Sequence, residues 1–307
     1  MNRGAHPMNR HSVLKTLPLL LCGSVYAGTP IDQKRAVDAD ARIEVSNIKG
    51  AVTVTGWDRP EVQVTGTLGD GAKGLLVEGG GSHLTIKVQA PEKQGWFSWG
   101  ADSRMGDTLL DIKVPNAAEM RIEVVSADVT LSGVAGRRLD VESVSGNLRL
   151  DSGARDIEVD SVSGDVDVAG SHATHSNIES VSGNIRARGL GGEMSFETVS
   201  GDIDAEGAAY RELNAGTVSG DINLRGAAGD GVRVEVESMS GDVHLYLPAA
   251  VSARLSASSF SGRIRSDFGD VTEPDHGPGS SLEASAGSGS GNVRIETFSG
   301  NIDIRKQ

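Results

Sequence analysis

The chain has a single cysteine, Cys22, in 307 residues. Aromatic side chains are also scarce: three Trp, three Tyr and five Phe. The core must therefore be built from Val, Ile, Leu and Ala. Basic residues number 29 against 42 acidic ones, giving a net charge of −13. That balance excludes a nucleic-acid binder, which needs Lys and Arg to displace phosphate counterions. Beyond the N-terminus no apolar run reaches the roughly 18 residues of a membrane-spanning helix, so that part of the chain does not cross a membrane as a helix. The chain is nevertheless too hydrophobic and too regular for a disordered protein.

What is present starts with a targeting segment. Arg3, Arg10 and Lys15 precede an apolar run from Leu17 to Leu21, and Val25-Tyr26-Ala27 offers small residues at the cleavage positions. This is the layout of a secretory signal over residues 1–27, with Met8 as an alternative start. Leu21 stands before Cys22, where a lipoprotein signal would carry a small residue. Cleavage after Ala27 would leave no cysteine, and so no disulfide and no thiol catalysis.

From residue 120 one phrase recurs. It reads Val141-Glu-Ser-Val-Ser-Gly-Asn-Leu-Arg-Leu150, then Val159-Asp-Ser-Val-Ser-Gly-Asp-Val-Asp-Val168, then Ile178-Glu-Ser-Val-Ser-Gly-Asn-Ile-Arg-Ala187. Its marker glycines are Gly146, Gly164, Gly183, Gly201, Gly220, Gly241 and Gly262, spaced 18, 19, 18, 19, 21 and 21, with Gly300 closing the series. Weaker copies lie upstream, around Gly50 and with Ala127 in the glycine place.

Within each copy, apolar residues fall two and four places after the glycine, as in Leu148 and Leu150, with polar residues between them. That alternation is a half-buried strand. Val or Ile five places before the glycine opens a second strand, and Ser-Gly-Asn/Asp is turn chemistry. Two short strands cannot bury their own apolar face, but stacked copies can. Three places after the glycine the residues run Arg149, Asp167, Arg186, Asp204. Opposite signs in neighbouring parallel strands attract across about 4.8 Å.

The expected fold is therefore all-β, a parallel β-solenoid of roughly 18–21-residue coils. Nine to eleven coils would make a rod about 40–50 Å long. An antiparallel sandwich is the rival; it explains the alternation but neither the near-constant period nor the alternating signs. Residues 28–119 read as degenerate N-terminal repeats with an insert at 90–106, and residues 120–307 as regular repeats with a loop at 268–281.

The recurring Glu-Ser/Thr-Val-Ser-Gly-Asp/Asn-Ile/Val phrase resembles the DUF4097 family of adhesin-like β-repeat proteins, strongly over residues 120–305 and weakly over 37–119. The resemblance implies a β-solenoid and a cell-envelope location, periplasmic, at the cell surface or extracellular. It implies no catalytic residues.

Several columns are candidate sites. An acidic column four places before the glycine includes Glu142, Asp160, Glu179 and Glu197. It reads as weak Ca²⁺ sites or, more simply, as a solvated acidic face. The Asn/Asp column one place after the glycine reads as a turn-side hydrogen-bonding ladder. The Ser/Thr-x-Ser pairs, such as Ser143 and Ser145, read as inward or corner hydroxyls serving turn backbone groups. Two ranks of outward hydroxyls, as in ice-binding solenoids, would need the intervening Val to point inward. Trp96, Phe97 and Trp99 lie in the 90–106 insert, either a cap on the open end or an aromatic patch for a glycan or protein partner. His172 and His175 lack further metal ligands nearby in sequence. No nucleophile elbow sits between a strand and a helix.

The expected function is that of an exported, non-enzymatic adhesin-like or cell-envelope scaffold protein, binding a cell-surface glycan or an envelope protein. The alternatives are a polysaccharide-acting enzyme on a parallel β-helix and a cation-dependent surface assembly protein.

Overall fold

The structure, a computed structural model, describes residues 28–90, 105–273 and 278–307. The targeting segment 1–27 and the aromatic residues Trp96, Phe97 and Trp99 lie outside the described residues. Every regular element described is a strand. The 21 strands join in one continuous, mostly parallel sheet.

One copy shows how the sequence makes a coil. Strand Arg138–Ser145 buries Leu139, Val141 and Ser143, and strand Leu148–Ser152 buries Leu148, Leu150 and Ser152. Between them Gly146 turns the chain at φ 134°. The connection to the next coil adds Ala154 to the same core, as Ala173 and Leu190 do in later copies. The inward residues of both strands thus meet one narrow core of small and branched apolar side chains. Two aromatic side chains, Phe196 and Tyr210, are the largest in it.

Coils stack in parallel and in register. Strand Arg138–Ser145 pairs with Asp156–Ser163, and that strand pairs with His175–Ser182. Leu148–Ser152 pairs with Val166–Gly170 and Val166–Gly170 with Ile185–Arg188. Marker glycines therefore lie one above another. A Cβ on Gly183 would collide with the carbonyl oxygen of Gly164, and Gly183 has φ 152°. Both facts demand glycine there.

The alternating charges stand in register as the sequence suggested: Arg149 opposite Asp167, Asp167 opposite Arg186, and Arg186 opposite Asp204. The close ion pairs, however, run diagonally. Arg186 reaches Asp165 at 3.5 Å and Arg188 reaches Asp167 at 3.3 Å. Long guanidinium stems lean to the neighbouring residue pair rather than straight across.

Stacking order departs from chain order at both ends. Residues 42–57 lie between the coil formed by residues 83–88 and 108–115 and the coil of residues 119–134. Likewise the last copy, residues 291–306, is inserted between residues 233–247 and residues 253–266. Sequence spacing alone placed Gly300 at the end of the series; in the fold it sits between Gly241 and Gly262. Each of these inserted segments is thereby paired on two sides. Antiparallel strands cover what lies beyond: Glu61–Leu68 at one end and Ser280–Ala286 at the other. Val271–Thr272, within the span read as a loop at 268–281, adds a last antiparallel strand. Open edges of a parallel stack invite pairing with other chains, and these additions end the ladder.

Candidate functional site

The outer face of the strands that precede the glycines carries the candidate site. From Val141 to Val144 inside and outside alternate: Val141 in, Glu142 out, Ser143 in, Val144 out. The residue two places before each glycine thus faces solvent although it is apolar. Its column runs Val125, Val144, Val162, Val181, Val199 and Val218, then Met239, Phe298 and Phe260. Val181 is 49% exposed and Phe298 59%. The inserted last copy keeps the column continuous, because Phe298 stands between Met239 and Phe260 in the register of the strands. Phe298 and Phe260 stack with ring centroids 4.9 Å apart.

Beside this column runs the acidic one. Glu123, Glu142, Asp160, Glu179 and Glu197 are mutual register partners, followed by Gly216, Glu237 and Glu296. Arg121 neutralises one end, at 2.9 Å from Glu123 and 2.6 Å from Glu142. Arg294 holds Glu296 at 2.7 Å at the other. Among the described residues, Asp160, Glu179, Glu197 and Glu237 form no ion pair in between. Burial pushes the Asp160 carboxyl above its ordinary pKa, and the carboxylates of Glu179, Glu158 and Glu142 push it the same way. Together the two columns line a groove of about 1670 Å³ that runs along the stack from the coil of residues 119–134 to that of residues 253–266.

The Ser/Thr-x-Ser pairs split. The first hydroxyl points in: Ser143 is 5% exposed and Thr217 6%. Ser259 donates to the carbonyl of Gly300 at 2.9 Å, and Ser238 to that of Gly241 at 3.4 Å. The hydroxyls of Ser143, Ser161, Ser180 and Thr198 meet no hydrogen-bond partner among the described residues. The second hydroxyl, as in Ser145 and Ser163, is exposed. The intervening Val points outward, so two flat ranks of hydroxyls do not form.

The Asn/Asp column is a ladder of coil-to-coil hydrogen bonds. Each side-chain oxygen accepts the backbone N–H of the equivalent residue one coil on. Asp165 N–H donates to Asn147 Oδ1 at 3.1 Å, Asn184 N–H to Asp165 Oδ1 at 3.1 Å, and Asp202 N–H to Asn184 Oδ1 at 3.0 Å. The series crosses the inserted coil without a break, from Asp242 to Asn301 and from Asn301 to Arg263.

Among the described residues no group of three or more His, Cys, Asp or Glu side chains converges as a metal site would require. Glu142, Asp160, Glu179 and Glu197 form a line rather than a cluster. His175 lies between Asp156 at 3.4 Å and Glu193 at 3.3 Å, apart from His172, which is bonded to Ser171. Among the described residues no helix is long and apolar enough to cross a membrane.

Solved structures resembling this chain include three proposed adhesins. One from Parabacteroides distasonis ATCC 8503 is 16% identical with a TM-score of 0.42, covering 91% of this chain and 98% of its own. One from Parabacteroides merdae ATCC 43184 is 9% identical with a TM-score of 0.39, covering 90% and 96%. One from Bacteroides fragilis NCTC 9343 is 12% identical with a TM-score of 0.37, covering 91% and 98%. No curated protein matches the chain. The Toastrack DUF4097 family profile matches residues 41–305, nearly the whole repeat region described above. The chain belongs to the Toastrack DUF4097 family.

Proposed function

We propose that this protein is an exported, non-enzymatic β-solenoid of the cell envelope, and that it binds an elongated partner along the outer groove. One observation carries the reading: a solvent-facing column of apolar side chains, Val125 through Phe260, repeated once per coil beside an acidic column. Soluble proteins seldom leave a contiguous apolar strip of this length uncovered unless something docks on it. A repeating surface suits a partner that is itself extended. Catalysis, by contrast, needs a unique constellation of groups, and the groove offers the same residues coil after coil. Export rests on the charged and apolar N-terminal segment before Ala27.

Retention by envelope material tests this. The full chain and a Val162→Ser/Val181→Ser/Val199→Ser variant are passed over isolated envelope fractions and a glycan array, beside a chain with Trp96, Phe97 and Trp99 replaced by Ser. The groove reading expects the valine variant to lose most of its retention and the aromatic variant to keep it. Equal retention of the valine variant and the unaltered chain contradicts the reading. Loss only in the aromatic variant moves the site to the 90–106 insert.

A further inference from the structure

We propose that the occupant of the groove is a basic, amphipathic helical segment of a partner protein. The inference rests on the groove being the binding surface and adds the class of partner. Three features of the groove select it.

The first is charge. The carboxylates of Asp160, Glu179, Glu197 and Glu237 have no cationic partner among the described residues, and each stands beside the exposed apolar column. A partner with apolar groups alone would leave these carboxylates half-desolvated and unpaired, which is costly. A second copy of this chain would add its own acidic column and a further net charge of −13. An anionic lipid surface is repelled on the same ground. A partner that carries both apolar and cationic groups satisfies both columns.

The second is sidedness. On one side the acidic column lies two residues from the apolar one; on the other, two small uncharged residues, as in Ser163-Gly164 and Ser182-Gly183, separate it from the Asn/Asp column, whose Oδ1 atoms already accept backbone N–H groups. The matching ligand has an apolar stripe with Lys or Arg along one flank, which is how a helix distributes residues at i, i+3, i+4 and i+7.

The third is pitch. Neighbouring valines recur about every 4.8 Å along the stack, and a helix repeats its apolar stripe about every 5.4 Å. The two drift by only about 0.6 Å per turn, so a helix of four to five turns that is in register at its middle is displaced by only about 1.2–1.5 Å at its ends, less than half the valine spacing. An extended strand repeats a face about every 6.6 Å and loses register within two residue pairs.

The test uses the full chain and three synthetic 18-residue peptides labelled at one end. The first carries a Leu stripe flanked by Lys, the second the same stripe flanked by Glu, and the third the Leu/Lys composition scrambled so that no stripe forms. Binding is read by fluorescence anisotropy across a salt series, and peptide helicity by circular dichroism. The Leu/Lys helix is expected to bind and gain helicity. It should bind at least tenfold more tightly than either control and weaken as salt rises. Val162→Ser/Val181→Ser/Val199→Ser should weaken it at least tenfold. So should Asp160→Asn/Glu179→Gln/Glu197→Gln, which leaves the apolar column whole and provides a second test should the valine variant fold poorly.

Equal binding of the Leu/Glu peptide, equal binding of the scrambled peptide, or no loss in either protein variant overturns the proposal. So does concentration-dependent dimerisation abolished by the valine substitutions, since the face would then belong to a second copy. If none of the peptides binds while envelope retention still depends on the valines, the groove reading stands and the helical partner is wrong.

Discussion

The backbone N–H of Asp221 donates to Oδ1 of Asp202 at 2.9 Å, across the boundary between two coils. The bond is one rung of a series that holds Asn at some coils and Asp at others, and either residue serves, because only the side-chain oxygen is used. Asp202→Ala removes the acceptor and should lower unfolding free energy by about 0.5–1.5 kcal/mol. Asp202→Asn keeps the oxygen and should leave stability within about 0.5 kcal/mol of the unaltered protein. Urea denaturation of the three proteins checks this. Equal losses for Ala and Asn would mean that the charge matters and the rung does not.

Asp160 makes a second prediction. Burial and the neighbouring carboxylates raise its pKa in the folded state above the ordinary 3.8. The folded protein therefore holds this proton more firmly than the unfolded chain. Its stabilising contribution is present below the ordinary Asp pKa and is lost as pH rises through the raised one. At neutral pH the ionised group is a liability, so Asp160→Asn should stabilise by about 0.2–1 kcal/mol, the size of a relieved like-charge cross-strand pair. The gap should close as pH falls below the ordinary Asp range. Thermal melts at pH 7 and at acid pH measure it; a gap unchanged with pH would contradict the assignment.

Tyr210 is buried, its hydroxyl has no hydrogen-bond partner among the described residues, and burial raises its pKa from 10.0 to about 12. The unfolded chain ionises first. Stability present below pH 10 should be lost as pH rises towards about 12, by up to about 3 kcal/mol. Tyr210→Phe has no such loss from this site. It should match or exceed the unaltered protein by up to about 1 kcal/mol at pH 8, because the unpartnered hydroxyl is gone. Comparing the two proteins between pH 8 and pH 12 isolates the site from other alkaline titrations. A constant difference across that range would show that the phenol does not titrate with folding.

Much of this was legible in the residues. The Gly period, the alternation after each glycine and the alternating Arg149, Asp167 and Arg186 indicated parallel strands in register, because only such a stack lays equivalent residues side by side. The Asn/Asp rungs followed from the same logic. The apolar column was equally present in the letters: if Val141 points in, parity sends Val144 out with Glu142. What the letters do not give is that this column is a continuous exposed surface, because that depends on which coils become neighbours. The inserted coils at both ends were not legible. The copy at Gly262 is weaker than that at Gly300, with Ser258 in the acidic place and Arg263 in the Asn/Asp place, but nothing in the spacing says which neighbour each will choose. That choice is made by long-range pairing, with an antiparallel strand available to cover Ala253–Ser259 but none needed on Gly291–Ser299.

The central claim is that coils stack in register, with the last copy inserted so that Met239, Phe298 and Phe260 are successive members of one outward column. Cysteine pairs test it directly in a chain with Cys22→Ser, which has no other thiol. Neighbouring coils bring equivalent Cα atoms within the roughly 4.4–6.8 Å that a disulfide spans, whereas coils two apart lie about 9.6 Å away and out of reach. Under mild oxidation, Met239→Cys with Phe298→Cys should cross-link within the chain. Phe298→Cys with Phe260→Cys should do the same, while Met239→Cys with Phe260→Cys should remain reduced. Rapid cross-linking of the 239–260 pair together with none for 239–298 would place the copies in chain order. The continuous groove, and the function built on it, would then be wrong.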